Sequence, residues 1–180
     1  MKKIILVYGS IAGAIVGAMF FIGAPLYDQG IITFDNGMLV GYTSMVVALS
    51  LIFFGVKNYR DSHANGVVTF GKAFKIGILI TVVASVIYAA SWEIAYRTVS
   101  RGYSDAMYEH EIDKLKQKSK SETELQTQIK EMEEFMKMYQ NPLIRFGITL
   151  FEIFPVGLVI SLVTAGLLRK KEFLPHTPTT

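Results

Sequence analysis

Residues 143–168 read LIRFGITLFEIFPVGLVISLVTAGLL, an apolar run broken by just two charged side chains, Arg145 and Glu152. A membrane helix needs about 20 mainly apolar residues, because the hydrocarbon core is roughly 30 Å thick. This stretch is long enough to cross. Working outward, three more segments qualify, at about 4–26, 38–56 and 74–96. Helices are the expected form, since lipid offers no partner to an unpaired backbone group.

The composition agrees. The 180 residues are 51% hydrophobic and 18% charged, with mean hydropathy +0.37, against roughly 25% charged in soluble domains. The charge is also uneven. Between Arg97 and Asn141 lie eight Lys/Arg and nine Asp/Glu, 17 of the 33 charged residues. The chain therefore reads as one all-α membrane domain, a four-helix bundle with an extramembrane helical hairpin, 97–142, between spans three and four. Cysteine is absent, which excludes disulfides and thiolate metal sites. No basic patch interleaved with aromatics suggests nucleic acid.

Lys2 and Lys3 precede the first apolar run. That run is too long for a signal peptide, and a cut after Ala24 would leave Pro25 at the new terminus. A retained span is expected. Orientation follows from basic residues in short loops. Lys2 and Lys3, then Lys57, Arg60, Lys72 and Lys75, then Arg169, Lys170 and Lys171 all fall on one side. The opposite short loop has Asp28 and Asp35 and no basic residue. Both termini are thus expected in the cytoplasm, and 97–142 on the far side, which in a bacterium is the periplasm.

The hairpin reads as two helices. Tyr108, Ile112 and Leu115 share one face of the first. A break at SKS follows, then Ser121 and Glu124 form a capping box. Beyond it Leu125, Ile129, Met132, Met136 and Tyr139 recur at steps of four and three. This stripe either closes the hairpin on itself or docks a partner or a second copy.

The segments GMLVGYTSMVVALSLIFFGVKNYRD, VVTFGKAFKIGILITVVASVIYAASWEI and NPLIRFGITLFEIFPVGLVISLVTAGLLRKK resemble a family of small bacterial membrane proteins, domain of unknown function 4199. The resemblance covers nearly the whole chain. It implies a four-span protein of the bacterial inner membrane, and it carries no activity, substrate or catalytic residue.

Several motifs are better read as structure. GVVTFGKA at 66–73 fits a phosphate-binding loop except at Ala73, where the magnesium-binding hydroxyl belongs. No nucleotide is expected. Lys72 and Lys75, with Phe70 and Phe74, read as an interfacial anchor to the lipid bilayer. Gly9, Gly13 and Gly17 in span one, and Gly157, Ser161 and Ala165 in span four, are small-residue seams for helix packing. They pack inside the monomer or between copies. His63, His110 and His176 have no metal-ligand spacing, and no Ser has a His partner in the same membrane plane. Neither an enzyme, a cofactor nor a metal is expected.

The intramembrane acids remain. Glu152 is nine residues into span four, roughly 13 Å below the outer edge at ~1.5 Å per residue. Glu93 lies near the outer end of span three. Arg145 is two turns before Glu152, and Arg97 is four residues after Glu93. Glu93, Arg97, Arg145 and Glu152 form a candidate polar site, beside a kink expected at Pro155, which lacks an N–H. An ionised Glu at that depth costs about 2–3 kcal/mol, so it must be paired, wetted or protonated. One reading makes Glu152 structural, through Arg145 or a hydrogen bond to another helix. The other has it bind a proton, a cation or a small cationic substrate. The favoured function is a non-enzymatic scaffold or interaction protein, and the alternative a small oligomeric transporter or channel.

Overall fold

A computed structural model describes residues 1–100, 102–119, 121–170 and 173–174, with Asp28 described by its backbone alone. Arg101, Lys120, Lys171 and His176, which figure in the readings above, lie outside the described residues. The chain forms α1 (Lys2–Asp28), α2 (Phe34–Leu49), α3 (Leu51–His63), α4 (Phe70–Arg97), α5 (Tyr103–Lys118), α6 (Glu122–Tyr139) and α7 (Pro142–Leu168). The fold is all-α, and four helical stretches are long and apolar enough to cross a membrane: Lys2–Tyr27, Phe34–His63, Phe70–Arg97 and Pro142–Leu168. Each outruns the apolar stretch that marks it in the sequence, and three of them start at polar N-caps, Thr33, Thr69 and Asn141, ahead of that stretch. Thr33 and Asn36 close a reciprocal capping box on α2. Asn141 accepts the Leu143 N–H at 3.0 Å ahead of α7, with Pro142 in the first turn.

The second stretch is interrupted at one residue. Ser50 turns its hydroxyl onto the Val47 carbonyl at 2.6 Å, a local bond that competes with the helical ladder. It divides α2 from α3. Pro155, by contrast, lies inside α7 without interrupting it.

Helix α4 is the centre of the bundle. It packs against α1 on one side and α7 on the other, while α3 touches all three and α2 rests on α1 and α7. Its buried positions include Ala73, Gly77, Ala84, Ser85, Ala89 and Ala95, small residues that let backbones approach. The glycine seams meet it directly. A Cβ on Gly9 would come 2.7 Å from Val83, and one on Gly13 would come 2.9 Å from the Ala84 carbonyl oxygen. Gly17 lies against Ser91, and Gly157 against the Thr81 side chain. Ser161 packs on Gly77, its hydroxyl 3.4 Å from Thr81 Oγ1. These faces are filled within the chain.

The P-loop-like stretch is a turn and a cap. Asn65 and Gly66 take positive φ, 49° and 76°, and Thr69 Oγ1 accepts the Lys72 N–H at 3.3 Å to start α4. Lys72 and Lys75 are exposed there, with Lys72 Nζ 5.8 Å from the Tyr59 ring centre and Phe70 stacked on Phe74.

Gly13→Ile should lower stability by about 1–3 kcal/mol, because the rigid Ala84 backbone cannot yield. Gly147, with nothing within 4 Å of its would-be Cβ, should gain up to about 1 kcal/mol on replacement by Ala. Thermal unfolding of both variants in one detergent checks the contrast.

Candidate functional site at the hairpin end of the bundle

Helix α4 presents Tyr88, Trp92 and Tyr96 at four-residue steps, with Glu93 and Arg97 between and beyond them. Facing it, the cap at Asn141 places Arg145 in the first turns of α7. The Arg145 guanidinium meets the Glu93 carboxylate bidentately, Nε to Oε1 and Nη2 to Oε2, each 2.7 Å. Its Nη1 donates to the Tyr139 carbonyl at 3.1 Å, and its Cζ lies 3.8 Å from the Tyr96 ring centre. Two parallel charge-assisted bonds and an aromatic face suit a guanidinium and would not suit a lysine. Arg145 is buried. Arg97 is mostly exposed, with Nη2 3.8 Å from Glu93 Oε2.

The same contacts tie down the hairpin. Trp92 Nε1 donates to the Tyr139 hydroxyl at 2.7 Å, and Ser104 donates to the Tyr96 hydroxyl at 3.0 Å. Tyr103 packs edge-on to Trp92 and Tyr27. Burial, then the neighbouring Tyr27, pushes the Tyr103 phenol up. Farther along α5, Lys114 Nζ reaches Asp35 Oδ1 at 2.9 Å, and that carboxylate raises the Lys114 pKa. His110 stacks on Phe34, and its Nε2 lies 3.6 Å from the same Asp35 oxygen.

Within the hairpin, Ser121 Oγ accepts the Glu124 N–H at 3.2 Å, which is one half of the expected capping box; the reciprocal bond from the Ser121 N–H to the Glu124 side chain is not among those the described residues form. The stripe from Leu125 to Tyr139 is half-buried and α6 packs on α5, where Ile112 is buried. The stripe closes the hairpin on itself, and the large apolar groups of 97–142 left exposed, among the described residues, are Val99, Met107, Phe135 and Met138.

Of the four polar residues foreseen, the structure joins three. Of the two structural alternatives for Glu152, the pairing with Arg145 gives way to Arg145 with Glu93, because two turns of rise separate the first pair while α4 brings the second into contact. The hydrogen bond to another helix is the one present. Glu152 accepts a hydrogen bond from the Tyr88 hydroxyl at 3.4 Å, and no basic side chain pairs with it among the described residues. Missed altogether was Arg60. It is fully buried at the opposite end of the bundle, giving its Nε to Asp61 at 2.7 Å, Nη1 to the Phe173 carbonyl at 2.9 Å and Nη2 to the Leu174 carbonyl at 2.6 Å. In the sequence it reads as one more charge of a basic loop. The neighbouring acid, Asp61, is the signal that could have marked it.

These features define a class: an all-helical chain with four membrane-length apolar helices and a charged helical hairpin fastened to one end. The family model described as a protein of unknown function, DUF4199, matches residues 7–170, and the chain belongs to that family. No curated protein and no solved structure matches it.

Glu93→Gln should strand the Arg145 guanidinium and lower stability by about 3–5 kcal/mol, as Arg145→Gln should by stranding the carboxylate. The double variant should lose clearly less than the sum of the two. A double-mutant cycle by thermal unfolding reads the coupling directly.

The Tyr139 phenol is pushed up to about 12, mainly by burial, while the Trp92 N–H and Arg145 pull the other way. A folded value above the ordinary 10.0 means its contribution is complete below that value and lost as pH rises toward the folded one. Alkaline titration should therefore loosen the hairpin, and emission from Trp92, the single tryptophan, should report it. Tyr139→Phe should shrink that transition and leave the part due to Tyr103, whose phenol is also pushed up by burial.

Proposed function

We propose that the protein is an integral, multi-pass membrane scaffold without catalytic activity, with hairpin 97–142 as its contact platform. The observation that carries the reading is the Arg145 clamp. One guanidinium fastens α4, α7 and the end of α6 together, which suits a fixed platform better than a moving gate. The bilayer as solvent is supported by the outward turn of Leu6, Ile22, Leu39, Val47, Phe54 and Phe151, each more than half exposed. Water would penalise that much apolar surface, and lipid would not.

In this reading the protein resides in a bacterial inner membrane with both termini cytoplasmic and 97–142 periplasmic. Lys2, Lys3, Lys72, Lys75, Arg169 and Lys170 support it by gathering at the helix ends opposite the hairpin. The partner is a second copy or another membrane or periplasmic protein, met through hairpin 97–142 at the exposed Phe135 and Met138 of α6. Neither nucleic acid nor nucleotide enters. A second reading, a small oligomeric transporter or channel, is favoured by Glu152, which has no basic partner among the described residues. Glu93, engaged by Arg145, suits that role less well.

Photocrosslinkers at Phe135 and Met138, in intact membranes, should capture a partner or a second copy; recovery of neither would sink the scaffold reading. The absence of native cysteine allows a clean topology test. Lys130→Cys should react with an impermeant thiol reagent from outside, and Lys170→Cys only after the membrane is opened.

A further inference from the structure

Arg60 differs from Arg145 in what its fork meets. Arg145 turns onto a carboxylate. Arg60, in the last turn of α3 and fully buried, turns onto backbone. Its Nη1 donates to the Phe173 carbonyl at 2.9 Å and its Nη2 to the Leu174 carbonyl at 2.6 Å. Nε alone reaches an acid, Asp61 Oδ1 at 2.7 Å, and the other oxygen of that acid is held by Lys57 Nζ at 2.6 Å. Among the described residues the group therefore joins two cations to one anion. A buried charge is compensated best by an opposite one, and here two neutral oxygens occupy the place of an anion.

The two carbonyls are arranged as a ligand would be. They come from successive residues, and each meets one terminal nitrogen of a planar guanidinium. A phosphate presents two oxygens to the same fork and binds it more strongly, because the acceptors are then charged. The segment that supplies the carbonyls is lightly held. Leu174 takes φ 50°, a left-handed conformation that a leucine side chain disfavours, and it is 49% exposed. Phe173 is seated on the core through an edge-on contact with Phe53, ring centres 6.3 Å apart.

Position narrows the class of anion. Arg60 lies at the end of the bundle opposite the hairpin, where Lys72 and Lys75 are exposed and Lys72 Nζ is 5.8 Å from the ring of the adjacent Tyr59. Basic and aromatic groups together at a helix end mark the headgroup level of a bilayer. We propose that residues 173–174 are a strap occupying an oxyanion site on Arg60, with Lys57 as its second cation, and that a phosphate group takes the site when the strap lifts. The phosphate belongs either to an anionic lipid or to a soluble molecule. The site stands on this geometry and is independent of what the hairpin contacts.

The lack of native cysteine lets one label report the strap. A nitroxide at Leu174→Cys keeps the backbone carbonyl that Arg60 binds. In the full-length protein in phosphatidylcholine nanodiscs, the label should be immobilised. Replacing phosphatidylcholine stepwise by phosphatidylglycerol should raise the mobile fraction saturably. Phe173→Ala removes the ring on Phe53 and leaves Arg60 in place, so it should lower the midpoint several-fold. It also provides the test should Arg60→Gln unfold. Folded Arg60→Gln should be mobile in phosphatidylcholine and indifferent to phosphatidylglycerol. Inorganic phosphate titrated into phosphatidylcholine nanodiscs separates the sources. Mobilisation by phosphate assigns the site to a soluble oxyanion, and mobilisation by phosphatidylglycerol alone assigns it to the lipid. A label already mobile in phosphatidylcholine, or immobile under both titrations, overturns the proposal. So does an unchanged midpoint in Phe173→Ala or an unchanged response in folded Arg60→Gln.

Discussion

One buried guanidinium holds the hairpin end together. Arg145 has to be compensated wherever it goes, because an unpaired charge away from water costs several kcal/mol. The compensation comes from three elements at once: the Glu93 carboxylate on α4, the Tyr139 carbonyl at the end of α6 and the Tyr96 ring. A hydrophobic replacement could match the pair's net stability; what the pair adds is direction, two bonds of 2.7 Å that hold α7 at one register on α4. It fixes how far α7 slides along α4, and with that where the hairpin sits.

The rest of the bundle is assembled by the opposite chemistry. In lipid the hydrophobic effect does not draw helices together, so close packing must. Helix α4 meets α1 across Gly9, Gly13 and Gly17 and meets α7 across Gly157 and Ser161, with Thr81 and Ser85 returning their hydroxyls to α4's own carbonyls. At the far end, buried Arg60 repeats the Arg145 device on a smaller scale, with backbone carbonyls of residues 173–174 as partners. Each end of the bundle thus has one buried arginine, and small-residue seams fill the length between.

What could be read from the sequence was what a single helix encodes. The four apolar stretches, the hairpin, the Asn65–Gly66 turn and the cap at Ser121 are local patterns, and each lies where spacing and composition put it. Helix ends were less legible, since Thr33, Thr69 and Asn141 extend helices past the apolar limits. Interhelical partners were legible as a group, Glu93, Arg97, Arg145 and Glu152, but not as pairs. Spacing along α7 made Glu152 the neighbour of Arg145, but only the approach of α4 brings Glu93 within 2.7 Å. The same applies to Arg60: Asp61 beside it is visible in the sequence, but its other partners are backbone carbonyls more than a hundred residues away.

The central claim is that the Arg145–Glu93 pair positions the hairpin on the bundle. Nitroxide labels at Met138→Cys on α6 and Leu39→Cys on α2, both exposed sites, measure it most directly in a chain with no other cysteine. The account predicts one narrow distance distribution in the otherwise wild-type protein, broadening when Glu93→Gln is added. A broad distribution from the start, or a narrow one that Glu93→Gln leaves unchanged, would contradict it.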